Sequence, residues 1–249
     1  MPRSFAIYVR SVIFNALFYA NLIVHMILAL PSLALPYPVM RAFIRSCTQV
    51  TLWLLRVVCG TEVAWRGTDK IPKTSCIVAC KHQSLWETFA LYAVLDHPIY
   101  VIKRELMWIP VFGWYMWKSG AIPIDRGAGM AALARMTTRA LKVLAEPRPH
   151  QLVIFPEGTR RAPGAPADYK PGIVHLYKRA GLPCVPAALN SGVFWPRRSL
   201  RRLPGTIVVE FLEPIPAGLD KDAFLTRLRG AIEGASERLL RGAAGGGRL

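Results

Sequence analysis

A histidine and a carboxylate stand five residues apart in the segment CKHQSLWE, residues 80–87. On one helix, five positions would leave the two side chains roughly 140° apart and unable to meet. The residues from Ile77 to Cys80 are typical of a buried strand, and Ser84 to Glu87 has the S-x-x-E form of a helix N-terminal capping box. The pattern therefore predicts that His82 lies in a strand-to-helix turn, where Glu87 can reach it.

This pair is suited to general base catalysis. A carboxylate fixes the tautomer of an imidazole and stabilises the imidazolium that forms when the ring takes a proton from a hydroxyl group. We therefore interpret His82 as a candidate base and Glu87 as its orienting acid. In the alternative interpretation, Glu87 only completes the capping box with Ser84.

Two nearby cysteines allow other chemistry. Cys80 and His82 are two positions apart, so they could face the same side of a strand and form a thiol acyl-enzyme or a thioesterase. Metal binding by Cys76, Cys80 and His82 is disfavoured because C-x3-C-x-H lacks a second ligand pair at a plausible spacing. We expect no metal and no organic cofactor. An α/β-hydrolase is disfavoured because the sequence contains no G-x-S-x-G.

Two further polar clusters follow apolar strand patterns. FPEGTR, residues 155–160, contains Gly158, which allows a tight turn close to a ligand, and Thr159 and Arg160, which can donate to phosphate oxygens. IPIDR ends in a second arginine, Arg126. The alternative for the first cluster is an ordinary charged turn. Because open α/β sheets bind ligands beyond their strand ends, the three clusters together predict one site for a phosphate-bearing hydroxyl compound.

Composition restricts the partners. The chain has 249 residues, 53% of them hydrophobic, and a formal charge of +17, so it can bury one sizeable core and favours anionic partners. Nucleic acid is disfavoured because the chain is unusually apolar and lacks zinc-finger spacing, RNP-type aromatic motifs and basic heptads. The five cysteines have no regular spacing, which predicts a reducing compartment for the catalytic part. Membrane lipid and phosphate remain the favoured partners.

The N-terminal quarter predicts a membrane anchor. No charged residue occurs from Ser11 to Met40, and a helix needs only about 20 such residues to cross a bilayer core. A second apolar segment, Ala42 to Cys59, contains Arg45 and Arg56 and is typical of an interfacial or re-entrant helix. The residues before Glu62 include five arginines and no acid, which favours an anionic lipid surface. A cleaved signal peptide and a core helix pair are the alternatives.

The rest of the chain alternates short strands with helices, which predicts an α/β fold with a mixed central sheet flanked by helices. The predicted strands are Glu62 to Arg66, Cys76 to Cys80, Ile99 to Ile102, Ala121 to Ile124, Leu152 to Phe155, Cys184 to Leu189 and Thr206 to Leu212. The predicted helices are Trp86 to Leu95, Met130 to Ala145, Gly172 to Ala180 and a last one capped by Asp220. We predict an anchor at residues 1–59, a catalytic domain at 60–242 and a flexible glycine-rich tail at 243–249.

The blocks KHQSLWE, GAIPIDR, FPEGTR and LPCVPAAL, in this order and spacing, resemble those of the 1-acylglycerol-3-phosphate acyltransferase family. The resemblance covers about residues 60–215 and implies the glycerolipid acyltransferase fold with a membrane-associated helical pair. It further implies transfer of a fatty acyl group from acyl-CoA or an acyl carrier protein to the sn-2 hydroxyl of lysophosphatidic acid, forming phosphatidic acid. The expected location is a bacterial-type inner membrane, with the site on its cytoplasmic side.

The resemblance also assigns site residues. It implies that His82 is the catalytic base, that Glu87 is its acidic partner, and that Pro186 marks a block that shapes the acyl groove. The implied substrate-binding residues are Lys103, Arg126, Glu157, Gly158, Thr159 and Arg160. One position departs from the usual H-x4-D pattern, because the acid here is a glutamate, one methylene longer. Another lysophospholipid acceptor, such as lyso-ornithine lipid, and a non-enzymatic lipid-binding protein are therefore kept as alternatives.

Overall fold

The computed structural model of the chain describes residues 3–125 and 129–245. Two long helices come first, and a seven-stranded sheet with six further helices follows. The helices are α1 Arg3–Leu28, α2 Tyr37–Leu54, α3 Trp86–Ala90, α4 Phe112–Lys118, α5 Gly129–Leu144, α6 Gly172–Ala180, α7 Ser191–Phe194 and α8 Lys221–Gly245. The strands are β1 Thr61–Arg66, β2 Cys76–Cys80, β3 Pro98–Lys103, β4 Ile122–Ile124, β5 Gln151–Ile154, β6 Cys184–Leu189 and β7 Gly205–Phe211.

The sheet is mixed, with strand order β1-β7-β6-β2-β5-β3-β4. Every pair of neighbours is parallel except β6 and β7, which are antiparallel. Five strands, β2 to β6, therefore run in the same direction and end at the same edge of the sheet. Their ends bring together loops that are far apart in the sequence.

The centre of the sheet is covered on both faces. Every residue of β2, β5 and β6 is buried, which explains why these strands are almost continuously apolar. One face packs on α5, α6 and α8, where the predicted stripe Phe224, Leu228 and Ile232 is fully buried. The other face packs on α3 and the N-terminal helices. The predicted mixed α/β fold is confirmed.

The N-terminal helices pack on the domain by one face only. Phe14 and Phe18 of α1 meet the ring of Trp195 edge-on, at centroid distances of 5.3 and 5.4 Å. Two helical segments, Ser4–Leu28 and Tyr37–Cys59, are long and apolar enough to cross a membrane, and only 22% of each tested window is buried. That small fraction disfavours the alternative of a core helix pair.

The sequence did not predict two short helices, α4 and α7. Helix α4 has seven residues and α7 has four, too few to show a clear helical period, and tertiary contacts stabilise them. At the C-terminus, Asp220 caps α8 as predicted, since its Oδ1 accepts from the backbone N–H groups of Asp222 and Ala223 at 2.9 and 2.8 Å. The helix continues to Gly245, past the start of the tail that we expected from residue 243. Residues 246–249 lie outside the described residues.

Candidate active site

The predicted site residues lie where the parallel strands end. His82 follows β2, Lys103 is the last residue of β3, and the loop of residues 155–160 follows β5. Ser191, which the sequence analysis missed, follows β6 after one residue. The rule that ligands bind beyond strand ends would have found it, because β6 was predicted with its observed bounds.

His82 and Glu87 are in contact across the turn between β2 and α3. The Nδ1 atom of His82 lies 2.9 Å from Oε1 of Glu87. The same oxygen accepts from the backbone N–H groups of Gln83 and Ser84, at 2.7 and 2.6 Å. The capping and orienting interpretations of Glu87 are thus compatible, because one oxygen stabilises the turn and contacts the imidazole.

The second oxygen of the carboxylate is also bound. The hydroxyl of Ser191 donates to Oε2 of Glu87 at 2.7 Å, and both side chains are fully buried. Next to it, the backbone N–H of Gly192 donates to the side-chain oxygen of Gln83 at 3.1 Å. A Cβ atom at Gly192 would lie 2.9 Å from the Cβ of Gln83. The start of α7 therefore holds the histidine turn and its carboxylate from the side of β6.

Two side chains, those of Glu87 and Phe155, orient the imidazole of His82. Its ring stacks on Phe155 at 4.0 Å between centroids, and its side chain is 13% exposed. Because Nδ1 faces a carboxylate, the neutral ring carries its proton on Nδ1. Within residues 3–125 and 129–245, Nε2 has no hydrogen-bond partner. It is therefore a lone-pair acceptor, available to a hydroxyl group.

A buried ion cluster lies beneath the turn. Lys81 places its Nζ 2.9 Å from Glu157 and 2.7 Å from Glu233 of α8. The other oxygen of Glu157 accepts from the backbone N–H of His82 at 3.1 Å. Tyr169 donates to Glu233 at 2.8 Å. Glu157 is fully buried. Its carboxylate contacts Lys81 and the backbone of His82, and it therefore positions the histidine backbone.

Gly158, Thr159 and Arg160 of the FPEGTR loop are partly or fully exposed. Gly158 adopts φ 63°, the left-handed turn conformation expected of a glycine. The N–H of Arg161 donates to the carbonyl of His82 at 2.8 Å, which fixes the loop against the turn. Thr159 is exposed, and the guanidinium of Arg160 has no ion pair or hydrogen bond among the described residues. A cationic group is thus available on the loop that is hydrogen-bonded to the histidine turn.

Of the other two cationic residues predicted to bind substrate, Lys103 and Arg126, the structure describes only Lys103. Lys103 is half-exposed and forms an ion pair of 2.9 Å with Glu105, so it lies at the same sheet edge with its charge partly compensated. Arg126 lies outside the described residues. Its predicted role in phosphate binding stays a prediction.

An apolar cavity borders the site. It encloses about 1110 Å³, including the solvent at its opening. Its walls come from α1, α2, α3, β3 and α4, and Leu85, Thr88 and Phe89 line it close to Glu87. Pro186 is not part of the lining, because it lies within β6 and pairs with Ala79. The fourth block forms the buried centre of the sheet, and its expected role in shaping an acyl groove stays a prediction.

Cys80 is not suited to be a nucleophile. Its side chain is fully buried, and burial, followed by the charges of Glu87 and Glu157, raises the pKa of its thiol well above the usual value. A thiol becomes a nucleophile only as the thiolate. The thiol acyl-enzyme alternative is therefore disfavoured. In the described part of the chain, no group of three or more acidic, histidine or cysteine side chains could hold a metal ion.

The chain resembles known acyltransferases in sequence and in fold. The Acyltransferase family model matches residues 62–190, more than half of the chain. A 1-acyl-sn-glycerol-3-phosphate acyltransferase of Pseudomonas aeruginosa is 37% identical over 169 residues, which cover 68% of this chain and 65% of that protein. The alpha isoform of Ovis aries is 32% identical over 203 residues, covering 79% of this chain and 70% of that protein.

A solved structure has the same fold. The crystal structure of the 1-acyl-sn-glycerophosphate (LPA) acyltransferase of Thermotoga maritima matches with a TM-score of 0.75 at 19% identity, covering 93% of this chain and 97% of the other. The chain spans just under two thirds of the Pseudomonas protein and about half of a Cocos nucifera relative. The residues that the family model matches include the loops that follow β2, β3 and β5. The chain belongs to the 1-acyl-sn-glycerol-3-phosphate acyltransferase family.

Proposed function

We propose that the protein transfers a fatty acyl group from an acyl thioester, carried by acyl carrier protein or coenzyme A, to the sn-2 hydroxyl of lysophosphatidic acid. The product is phosphatidic acid. One observation carries the proposal: Glu87 orients the imidazole of His82 and leaves its Nε2 free, in a turn that is hydrogen-bonded to the loop carrying Arg160 and is followed directly by cavity-lining residues. The names of the relatives support the same reaction.

In the proposed mechanism, Nε2 of His82 takes the proton of the acceptor hydroxyl as its oxygen adds to the thioester carbonyl. The C–O bond forms, the C–S bond breaks and the thiolate leaves. His82 then returns its proton to the thiolate. Since thiols have a pKa of about 8.5, this leaving group needs little acid assistance. Glu87 stabilises the imidazolium that forms, because its Oε1 faces Nδ1.

We propose that the phosphate of the acceptor binds to Arg160, together with Thr159, Lys103 and Arg126. Arg160 stands on a loop that is hydrogen-bonded to the histidine turn, so a phosphate bound there lies near the imidazole. The apolar cavity is the proposed acyl-chain site, since most of the side chains that line it are apolar and it lies next to the histidine turn. The proposed location is a bacterial-type inner membrane, with the site on its cytoplasmic side.

Replacing the free arginine tests phosphate binding. We expect Arg160→Ala to raise the KM for lysophosphatidic acid roughly 10- to 100-fold with kcat changed much less, because one charged hydrogen bond contributes about 1.5–3 kcal/mol. Steady-state kinetics on detergent-dispersed substrate measures both constants. Arg179→Ala is the matched control, since Arg179 lies near the end of α6, which leads to the opposite edge of the sheet. An unchanged KM for the Arg160 variant would place the phosphate elsewhere.

Shortening the carboxylate tests the geometry of the pair. The usual acid of the family motif is aspartate, whereas in this chain the longer side chain of glutamate makes the contact with His82. We expect Glu87→Asp to lower kcat about 10-fold, because the retracted carboxylate gives up one charge-assisted hydrogen bond. Comparing kcat with KM in the purified variant checks this. Activity equal to that of the parent would show that the 2.9 Å contact to His82 is not needed.

The thiol alternative has its own test. We expect Cys80→Ala to retain activity within about threefold, since truncating a buried side chain costs stability but removes no proposed reacting group. Initial rates at a temperature well below unfolding measure the effect. A loss as large as that expected for a His82 variant would favour an acyl-cysteine intermediate instead.

The glutamate at position 87 keeps a second acceptor open. Purified protein incubated with a labelled acyl thioester and either lysophosphatidic acid or a lyso-ornithine lipid decides between them. We expect labelled phosphatidic acid from the first. Labelled ornithine lipid alone would change the acceptor but keep the chemistry of His82. No transfer to either, with lysolipid still bound, would favour a non-enzymatic lipid-binding protein.

A further inference from the structure

The segment between β3 and β4 exposes three tryptophans. Residues 104–118 form a 3₁₀ helix, Arg104–Trp108, followed by α4. Trp108, Trp114 and Trp117 are 73%, 55% and 77% exposed, and Leu106 and Ile109 are exposed beside them. Tryptophan is highly buried on average, and a group of exposed apolar side chains marks an interaction site. We call these five side chains the tryptophan surface.

The segment that carries the tryptophan surface is hydrogen-bonded to the last turn of α1 and to the connection between α1 and α2. The hydroxyl of Tyr115 donates to the carbonyl of Met26 at 2.6 Å. Lys118 donates to the carbonyls of Leu33 and Leu35, at 2.8 and 2.5 Å. Trp114 and Trp117 also share a groove with Leu33. The surface is therefore continuous with the two apolar helices.

The turn that carries these rings has a constrained backbone. Val111 adopts φ 64°, which is rare for a β-branched residue and persists only where surrounding contacts determine it. Gly113 lies so close to Met107 that a Cβ atom would be 2.1 Å from its carbonyl oxygen. The backbone that carries the three rings is thus constrained by contacts within the segment.

The inner side of the same segment lines the apolar cavity. Phe112, Tyr115 and Met116 are part of the cavity wall, and Leu106, which is 38% exposed, lines the cavity as well. Residues 104–118 therefore separate the proposed acyl-chain site from the exterior. Their outer surface has the chemistry of lipid contact, because an indole combines an apolar ring with one N–H donor and is enriched at membrane interfaces. From Leu106 to Lys118 the sequence has no acidic residue and one basic residue, whose ammonium binds backbone carbonyls.

We propose that the tryptophan surface is a second membrane-contacting element, which inserts Trp108, Trp114 and Trp117 into the headgroup region of a phospholipid bilayer. The proposal rests on the membrane location proposed above. To the membrane contact of the two N-terminal helices, the tryptophan surface adds a contact that the catalytic domain itself contributes. That contact places the wall of the acyl cavity at the lipid boundary.

Fluorescence of the full chain in vesicles tests this proposal. Emission of the variant W108F/W114F/W117F is subtracted from that of the parent, so that the difference reports the three rings. Vesicles of phosphatidylethanolamine and phosphatidylglycerol carry bromine either near the glycerol or at the acyl chain end. Because indoles lie at headgroup level, we expect shallow bromine to reduce the difference emission about twofold or more, and deep bromine to reduce it less. W53F, on α2, is the matched control for an exposed tryptophan of the helix pair.

Two outcomes would overturn the proposal. Difference emission that acrylamide quenches from the aqueous phase, with no effect of bromine, would show that the rings face water. Shielding that increases with the protein-to-lipid ratio would show that a second copy covers them. Acyl transfer in detergent is measured separately, and we expect the phenylalanine variant to equal the parent, because none of the three rings lines the cavity. Bromine quenching without acyl transfer in the parent would refute the proposed reaction and leave this surface intact.

Discussion

His82→Ala should lower kcat by roughly 10² to 10⁴, the usual contribution of a positioned general base. The effect should fall on kcat, because the imidazole acts on the hydroxyl proton and Nε2 is the ring atom left free by the contact of Nδ1 with Glu87. Steady-state rates with saturating acyl thioester and lysophosphatidic acid measure it.

The stability of the His82 variant must be checked beside its activity. Phe155 loses a stacked ring in this variant, so the melting temperature is measured in the same detergent. His175→Ala is the matched control, since His175 is a partly exposed residue of α6 and has no proposed role. Turnover near the parental rate in a folded His82→Ala protein would exclude the base mechanism.

Lys81→Met should destabilise the protein by about 3–5 kcal/mol, which is the effect of removing one partner of a buried ion pair. The methionine fills the volume of the aliphatic chain but leaves the carboxylate of Glu157, fully buried, without its cation 2.9 Å away. For a chain of this size, such a loss lowers the melting temperature by roughly 6–20 °C. Thermal unfolding in detergent, followed by circular dichroism, measures it.

Two comparisons make the Lys81 result specific. Lys70→Met removes an ion pair of 2.8 Å with Glu213 at the surface and should lower the melting temperature far less, because exposed ion pairs contribute little to stability. The double variant K81M/E157Q removes the buried charge as well, while the amide oxygen can still accept from His82. We expect it to recover at least half of the lost stability. Equal effects of the two lysine variants would show that the buried cluster contributes no more than a surface pair.

The sequence predicted the fold well because its signals are local or nearly so. Fully buried strands such as Cys76–Cys80 and Cys184–Leu189 have short apolar runs with clear ends, and the structure has both at the predicted bounds. The capping residue Asp220 and the apolar stripe of α8 are likewise readable from a few neighbouring positions. In contrast, α4 shows no helical period in its sequence. The helix depends on contacts with the end of α1 and with the α1–α2 turn, which no local pattern indicates.

The candidate site was predictable in part for the same reason. His82 and Glu87 are five residues apart, and a strand-to-helix turn brings them together through its own hydrogen bonds. Ser191 and Glu233 contact this turn from more than 100 residues away, so no local pattern indicated them. Glu157 was predicted to bind substrate, a prediction that stays open, and the structure shows its carboxylate bound to Lys81 and to the backbone of His82.

By itself, the sequence determined the order of the strands and of the longer helices, the apolar helix pair and the histidine with its carboxylate, because each depends on residue types at short separation. Only the tertiary structure decided which distant groups complete the site: the serine on the second carboxylate oxygen, the lysine cluster beneath the turn, and the tryptophans beside the helix pair. The physical reason is that β2 lies between β5 and β6. Strand pairing, which no single segment specifies, brings three separate loops to one edge of the sheet.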